Sequence, residues 1–298
     1  MKESRKTGHL LTEKINPRTT HLDKCSPLEV VELILEEDRA IVEAIEKEKN
    51  NIADAVELVV EKLKVGGRLF FIGAGTSGRL GAIEAAECPP TFGTDPELIQ
   101  GFIAGGREAI WQSIEGAEDS TTKPQEILKD ANLCKEDVVI GIAASASTPF
   151  VEGGLRYANQ IGSGSVLVTC NTAESKIANV SIELLVGPEV VVGSTRMKAG
   201  TVTKMVLNMI TTASMVRLGK TYGNLMVDVQ PKSAKLRARA KRIVTHIAEV
   251  NEEKSSELLH QSDWDVKASI VMAKKGLSLE DAKELLDKHN GFLREALK

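Results

Sequence analysis

Short apolar runs alternate with longer amphipathic stretches between about residues 68 and 230. Five of the runs are aliphatic and continuous rather than alternating with polar residues, which predicts strands that are buried on both faces. They lie at 69–72, 98–104, 138–143, 166–169 and 182–185. The stretches between them carry the apolar spacing of helices. The repeated strand–helix–strand order predicts an α/β fold, with a doubly wound parallel sheet in a three-layer arrangement.

Helical patterns precede and follow this region. Ser26, Pro27 and Glu29 occupy the N-cap, the first position and the capping-box position of a helix, and a second helix is predicted after Asn50-Asn51. Further helices are predicted at 199–218, 234–248, 255–261, 265–274 and 278–288. We therefore expect an N-terminal region with an extended arm over residues 1–24 and two helices (1–65), an α/β domain (66–232) and a small C-terminal helical unit (233–298).

The composition argues against several classes of protein. Aromatic residues make up 3% of the 298 residues and the net charge is −4, so neither base-stacking side chains nor a basic face favours nucleic-acid binding. No run of about 18 apolar residues could span a bilayer, and the polar N-terminus lacks a secretory signal pattern. The four cysteines show no metal-ligand spacing. We expect a cytoplasmic protein with free thiols, no membrane partner and a small ligand.

The first strand leads into a glycine-rich turn, Gly73-Ala-Gly75-Thr-Ser-Gly78, that opens a helix. Glycines let the backbone approach a ligand, and the helix start favours an anion. The turn matches G-x-G-x-x-G, but the second strand ends in Ala104-Gly105-Gly106 rather than in the acid that would hold a ribose. Arg79-Leu80 follows where a P-loop has Lys-Ser/Thr. A phosphate ester is therefore a better ligand than a nucleotide.

Hydroxyl side chains cluster in three turns. Each cluster alone is typical of a helix cap, but three at the ends of sheet elements favour a phosphomonoester pocket, because hydroxyls and backbone N–H groups donate to phosphate oxygens. The clusters are Thr76-Ser77 in the first turn, Ser145, Ser147 and Thr148 after the third strand, and Ser194-Thr195 shortly before Lys198 and the long helix.

This pattern resembles the sugar-isomerase (SIS) phosphosugar-binding domain, and longer motifs are similar to the N-acetylmuramic acid 6-phosphate etherase family. The resemblance runs from Leu11-Thr-Glu13 to Gly291-Phe-Leu-Arg294. Its motifs are Gly73-Ala-Gly-Thr-Ser-Gly-Arg-Leu-Gly81, Glu87-Cys-Pro-Pro-Thr91, Ile103-Ala-Gly-Gly106, Glu115-Gly-Ala-Glu118-Asp119, Gly187-Pro-Glu-Val190, Arg196-Met-Lys-Ala-Gly-Thr201, Leu207-Asn-Met209 and Tyr222-Gly-Asn-Leu-Met-Val-Asp228. It implies an SIS fold, a lyase without a metal or redox cofactor, and a homodimer with sites near its interface.

The family cleaves the lactyl ether of its substrate and yields N-acetylglucosamine 6-phosphate and D-lactate. An open-chain aldehyde acidifies the C2 proton, so that a base can remove it, lactate can leave C3 with acid help, and water can add across the double bond. Two carboxyl groups suffice for these proton transfers. By resemblance the pair is Glu87 and Glu118, with their roles as acid and base undivided.

Spacing alone does not select this pair. Glu84 lies one helical turn from Glu87, and Glu115 lies one turn from Glu118 if that segment is helical. Glu87 is expected near the end of its helix, just before Cys88-Pro89-Pro90 breaks it. The substrate-binding residues implied by the hydroxyl turns and the resemblance are Thr76, Ser77, Arg79, Ser145, Ser147, Thr148, Glu189, Ser194, Thr195 and Lys198.

The second hydroxyl turn departs from the family pattern. The etherases usually read Ser-Gly-Arg-Thr-Pro there, whereas this chain has Ser145-Ala146-Ser147-Thr148-Pro149. The change removes a flexible glycine and a cation with forked donors, which bears on phosphate affinity or substrate choice.

Two alternative functions stay open at this stage. A phosphosugar aldose–ketose isomerase is one, because related SIS isomerases use a glutamate placed like Glu189. A non-catalytic sugar-phosphate sensor is the other. The first 60 residues show no helix-turn-helix pattern and the chain holds a single recognisable SIS unit, and both facts count against a regulator.

Overall fold

The computed structural model of the chain describes residues 10–173 and 176–298. Its contacts form two compact units, one made of the chain up to Ala85 with Glu97–Thr211, the other of Ala86–Pro96 with Thr212–Lys298. The division into 1–65, 66–232 and 233–298 stays a prediction, and residues 1–9 of the expected arm lie outside the described residues. Among those residues, no helix combines the length and the apolar character that a membrane span requires.

Five strands in the first unit form one parallel sheet, which confirms the predicted α/β fold. They are β1 (Leu69–Gly73), β2 (Ile99–Ile103), β3 (Val138–Ile142), β4 (Gly164–Thr169) and β5 (Val180–Glu183), in the order β2-β1-β3-β4-β5. Every residue of β1, β3 and β4 is buried. These three apolar runs therefore correspond to strands covered on both faces, as predicted. For β2 and β5 the prediction of full burial is wrong: most of their residues are only half-buried, because both lie at the edges of the sheet.

Helices cover the two faces of the sheet. The helices that pack on it are α2 (Ala40–Lys64), α3 (Gly75–Phe92) and α5 (Pro149–Ile161). Helix α1 (Pro27–Asp38) contacts α2, α4 (Lys123–Asp130) contacts α5, and α6 (Lys198–Arg217) follows β5 in the chain. Gly81 of α3 packs on Phe71, whereas Gly154 of α5 packs on Ile72, and neighbouring residues of a strand face opposite sides. The sheet is therefore the middle of three layers.

The N-terminal helices confirm one prediction and correct another. The capping box of Ser26 and Glu29 starts α1 as predicted. The break between the helices lies at Arg39 rather than after Asn50-Asn51, so the predicted boundary is wrong. The reason is that the buried apolar stripe of α2 continues through the asparagines, from Ile45 to Ile52 and beyond, and its burial outweighs their weak helix propensity.

Helix α3 contradicts the prediction that Cys88-Pro89-Pro90 ends it. The helix continues to Phe92 with both prolines inside. Proline has a helical φ, but it lacks the N–H donor and its ring clashes with the carbonyl one turn earlier, which together cost about 3 kcal/mol in a helix interior. Cys88 and Phe92 are buried, and the Gly93 N–H donates to the Pro89 carbonyl. The packing of this last turn outweighs the missing hydrogen bonds.

The second unit contains the predicted C-terminal helices. They are α7 (Ala234–Ala248), α8 (Glu252–Gln261), α9 (Val266–Lys275), α10 (Leu279–Lys288) and α11 (Leu293–Ala296), and they follow an unpredicted two-stranded pair, β6 (Thr221–Tyr222) and β7 (Leu225–Met226). Ser233, Asn251, Asp265 and Ser278 cap the first four of these helices. Helix α9 is buried over most of its length and forms the centre of this apolar core.

Candidate active site

A cavity of about 710 Å³ opens at the carboxyl ends of the strands in the first unit. The strand order reverses there, because β2 lies on one side of β1 and β3 lies on the other. Ligands of doubly wound sheets bind at such a reversal. The residues that line the cavity are Leu10, Thr12, Glu13, Ala74, Ser77, Glu118, Asp119, Thr121, Ile142, Ala144, Ser145, Ser147, Thr148, Pro149, Gly193 and Thr195. The structure therefore brings Glu118 together with five of the predicted hydroxyl residues.

The glycine-rich turn places the start of α3 against the end of β1. A Cβ on Gly73 would lie 2.7 Å from the Gly78 nitrogen, and one on Gly78 would lie 2.6 Å from the Gly73 carbonyl oxygen. Gly75 between them has a φ of +53°. Only glycine permits this close packing, which brings Ser77 and the unpaired N–H groups of the first helical turn to the cavity.

The second hydroxyl turn forms with Ala146 in the left-handed region, at a φ of +62°. The Ser145 and Thr148 hydroxyl oxygens lie 3.3 Å apart, and the Ser147 N–H donates to the Ser145 hydroxyl. Thr148 occupies the N-cap of α5 before Pro149, as predicted, but its side chain makes no capping hydrogen bond. The hydroxyls of this turn line the cavity instead.

Replacing Ala146 by glycine is expected to stabilise the protein by about 1 kcal/mol, because the left-handed conformation is less favourable by roughly that amount for an L-residue than for glycine. Urea unfolding of the wild type and the variant measures the difference. The matched control is Ala53→Gly on the exposed face of α2, which we expect to destabilise by about 1 kcal/mol. If both variants lost the same free energy of unfolding, the conclusion that Ala146 is strained would be wrong.

Two predicted ligands, Glu189 and Lys198, are buried in the first unit and do not line the cavity. The Glu189 carboxylate accepts hydrogen bonds from the N–H groups of Lys198 and Ala199 at the start of α6. Burial raises the pKa of Glu189 above its ordinary value, although these two hydrogen bonds act in the opposite direction. The Lys198 ammonium pairs with Glu37 at 2.5 Å, and Arg18 contacts the same carboxylate.

The remaining predicted ligands lie around the cavity without lining it. Arg79 donates to the carbonyls of Ile110 and Gln112, and thereby holds the loop after β2. Thr76 is half-buried with its methyl group towards Gly200, and Ser194 is half-buried with its N–H bonded within its own turn. Arg79 lines a second cavity of about 250 Å³, whose wall includes Glu115 and Glu118.

Glu118 lies in a short 3₁₀ turn, Ala117–Asp119, after Gly116 with a φ of +71°. Gly116 lies between Glu115 and this turn, so the two glutamates do not share a helix. The Glu118 side chain is exposed and contributes to the walls of both cavities. A carboxylate in such a position can exchange protons with a bound ligand.

Glu84 and Glu87 lie one turn apart on α3 but differ in their surroundings. Glu84 is 5% exposed, and its carboxylate accepts hydrogen bonds from the Asn208 amide at 2.5 Å and from the Thr211 hydroxyl. Glu87 has an exposed side chain and belongs to the second unit. Glu84 therefore ties α3 to α6, and Glu87 is the acid of this pair that solvent can reach.

Replacing Glu84 by alanine is expected to lower the free energy of unfolding by about 2 kcal/mol or more, since the buried Thr211 hydroxyl and the half-buried Asn208 amide both lose their charged acceptor. Glu87→Ala on the same helix is the matched control and should change stability by less than about 0.5 kcal/mol. Urea unfolding measures both changes. Equal stabilities of the two variants would show that the hydrogen bonds of Glu84 contribute nothing.

The N-terminal arm contributes cavity residues that the sequence did not single out. Leu10, Thr12 and Glu13 line the cavity beside Gly193 and Thr195. The only signal in the sequence was that Leu11-Thr-Glu13 belongs to the family resemblance.

Across residues 10–173 and 176–298, no group of three or more His, Cys, Asp or Glu side chains is arranged to hold a metal ion.

Comparison with known proteins finds relatives over the whole chain. The chain is 50% identical over 297 residues to "N-acetylmuramic acid 6-phosphate etherase" of Clostridium beijerinckii, which covers 99% of this chain and 98% of the relative. It is 51% identical to the protein of the same name from Vibrio atlanticus, covering 97% of this chain and 95% of the relative. A family model described as the glucokinase regulatory protein N-terminal SIS domain matches residues 51–159.

Solved structures resemble part of the chain. A phosphoheptose isomerase from Francisella tularensis has a TM-score of 0.46 and 14% identity, covering 62% of this chain and 98% of its own. Phosphoheptose isomerase GmhA from Neisseria gonorrhoeae has a TM-score of 0.45 and 17% identity, covering 62% of this chain and 96% of its own.

Proposed function

Because this chain belongs to the N-acetylmuramic acid 6-phosphate etherase family, we propose that Glu118 and Glu87 form the acid/base pair of its reaction. The chain is a carbon–oxygen lyase that converts N-acetylmuramic acid 6-phosphate and water into N-acetylglucosamine 6-phosphate and D-lactate. The observation that carries the proposal for the site is the position of Glu118 in a cavity rich in hydroxyl groups. Such a cavity suits a sugar phosphate, and Glu118 supplies a group for proton transfer.

The reaction consists of an elimination and a hydration. In the open-chain aldehyde, a carboxylate removes the C2 proton, and the electron pair of the C2–H bond forms the C2–C3 double bond. The C3–O bond of the ether breaks, and a carboxylic acid protonates the leaving lactate oxygen. Water then adds its oxygen to C3 and a proton returns to C2. Each step moves one proton, which a pair of glutamates can accept and donate.

The phosphate has an expected place in the cavity. Ser77, Ser145 and Thr148 lie next to the starts of α3 and α5, where the positive ends of the helix dipoles favour an anion. The lining residues in the described chain include no lysine or arginine. We therefore expect hydroxyl and N–H donors, rather than a direct cation, to bind the phosphate in this chain.

A single copy of α3 is too long to bring its two ends to one substrate. Glu87 lies roughly 16 Å beyond Thr76 along the helix axis. A six-carbon sugar phosphate is shorter than this between its phosphorus and C2. We propose that the chain acts as a homodimer in which Glu118 of one copy and Glu87 of a second copy serve the same substrate.

An exposed apolar stripe on α1 supports pairing of two copies. Leu28, Val31 and Leu35 are 67%, 51% and 61% exposed and share one face of the helix. Such a stripe is unusual on a monomer, because its apolar area stays in contact with water. We propose that this stripe contributes to the dimer interface.

We also propose that the protein acts in the cytoplasm, where phosphorylated sugars are formed.

The isomerase alternative has less support. It depends on Glu189, which is buried and whose carboxylate accepts hydrogen bonds from the start of α6.

The test of function is incubation with N-acetylmuramic acid 6-phosphate and measurement of D-lactate with a D-specific lactate dehydrogenase. Lactate release is expected, and isomerisation of a hexosamine phosphate without lactate would favour the isomerase.

A further inference from the structure

The described part of the arm, residues 10–24, is fixed to the first unit beside the cavity. The Leu11 N–H donates to the Asn171 side-chain oxygen at 2.6 Å, and the Asn171 amide donates to the Thr12 hydroxyl at 3.0 Å. The Gly193 N–H donates to the Thr12 carbonyl at 3.2 Å. Thr12 itself is buried. These bonds hold the backbone on both sides of Thr12 and thereby fix where the next side chain begins.

That next side chain is Glu13, which lines the cavity. Its Oε2 atom would lie 3.3 Å from a Cβ on Gly193, and Gly193 has a φ of +74°. Any larger residue at Gly193 would therefore be strained and would press on the carboxylate. Within the part of the chain that the structure describes, the Glu13 carboxylate has no hydrogen bond or ion pair. It is anchored through its backbone, and its oxygens are available to a ligand.

The charge of the cavity decides which part of a substrate Glu13 can contact. Glu13, Glu118 and Asp119 contribute three carboxylates to the lining. A carboxylate accepts hydrogen bonds and does not donate them, and it repels the phosphate and the lactyl carboxylate of the substrate. The partner of Glu13 must therefore be a neutral donor on the sugar, either a hydroxyl group or the acetamido N–H.

We propose that Glu13 is a substrate-positioning residue whose carboxylate accepts a hydrogen bond from a hydroxyl or acetamido N–H of the sugar. The inference rests on the proposed function of the cavity and adds a binding group from the arm to it. With the phosphate held by the hydroxyl turns at one end, a hydrogen bond to Glu13 fixes the orientation of the sugar in front of Glu118. The arm is thus part of the binding site rather than a surface appendage.

Steady-state kinetics of lactate release from N-acetylmuramic acid 6-phosphate test this role. Glu13→Ala is expected to raise KM by about 10- to 100-fold, because a hydrogen bond to a charged group is lost. Glu13→Gln should raise KM by a smaller factor, since its amide oxygen still accepts a hydrogen bond. The matched control is Glu61→Ala on the exposed surface of α2, with an unchanged KM. A KM of Glu13→Ala within twofold of this control overturns the proposal.

Inhibition by inorganic phosphate separates positioning from a collapse of the site. Phosphate is expected to bind at the hydroxyl turns without a hydrogen bond to Glu13, so its inhibition constant should not rise in Glu13→Ala or Glu13→Gln. If the phosphate constant rises as much as KM does in both variants, Glu13 supports the fold of the cavity, and the positioning role is wrong.

Binding of N-acetylglucosamine 6-phosphate separates this inference from the proposed function. If the wild type releases no lactate, the proposed function fails, and calorimetry with this sugar phosphate then decides on Glu13. Binding that is at least tenfold weaker in Glu13→Ala than in the wild type supports the positioning role. Equal binding, or no binding to the wild type, overturns it.

Discussion

Replacing Glu118 by glutamine is expected to lower kcat for lactate release by about 10²- to 10⁴-fold, the range typical of a lost acid/base group. Glutamine keeps the size of the side chain and its hydrogen-bonding oxygen but cannot exchange a proton at neutral pH. KM should change by a much smaller factor, because we propose that the hydroxyl turns, and not Glu118, bind the phosphate. The same result is expected for Glu87→Gln.

Glu115→Gln is the matched control for this prediction. Glu115 precedes Glu118 in the same loop and is also exposed, but it lines only the smaller of the two cavities described for this region. Its kcat should stay within about twofold of the wild type, the range of a surface change far from the chemistry. If the variants at Glu115 and Glu118 lose activity equally, the loop matters as a structure, and Glu118 has no special role.

Mixing the two inactive variants is expected to restore activity. In a dimer of one Glu87→Gln subunit and one Glu118→Gln subunit, one site keeps Glu118 from the first subunit and Glu87 from the second. Random exchange of subunits makes half of the dimers mixed. Each mixed dimer has one intact site and one site that lacks both glutamates. The mixture should therefore recover roughly a quarter of the wild-type activity. This follows from the length of α3, which separates Thr76 from Glu87.

Differently tagged subunits show whether the exchange has taken place. Native mass spectrometry of the mixture should show the mixed dimer before activity is measured. If mixed dimers form and the activity stays at the level of the single variants, both glutamates act within one copy. The assignment of Glu87 to a second copy would then be wrong.

Local features of the fold could be predicted from the sequence. The capping box at Ser26 and the continuous apolar strands β1, β3 and β4 depend on residues close together in the chain, and the structure confirms them. The end of α3 could not be predicted in this way. Pro89 and Pro90 favour a helix end locally, but the burial of Cys88 and Phe92 extends the helix.

Features of the site that depend on contacts between residues far apart in the chain could not be predicted from the sequence. Glu84 and Glu87 have the same local pattern, and only the contacts of Glu84 with Asn208 and Thr211 on α6 distinguish them. The place of Glu13 likewise depends on Gly193, far away in the chain. The hydroxyl turns were easier to identify, because the carboxyl ends of parallel strands meet at one edge of the sheet.

The departure at Ala146-Ser147 has a defined structural consequence. Ala146 adopts the left-handed conformation that the family's glycine would adopt without strain. The turn therefore keeps its shape, and Ser147 still lines the cavity. What is lost is the cation, so we expect the phosphate to depend on hydroxyl and N–H donors in this chain.

Proton NMR of the reaction in deuterated water tests the central claim most directly. Incubation of the wild type with N-acetylmuramic acid 6-phosphate should release D-lactate and give N-acetylglucosamine 6-phosphate with deuterium at C2, because the C2 proton leaves during elimination and a solvent deuteron replaces it. Release of lactate with the C2 proton retained would contradict the elimination mechanism. No lactate at all would contradict the function.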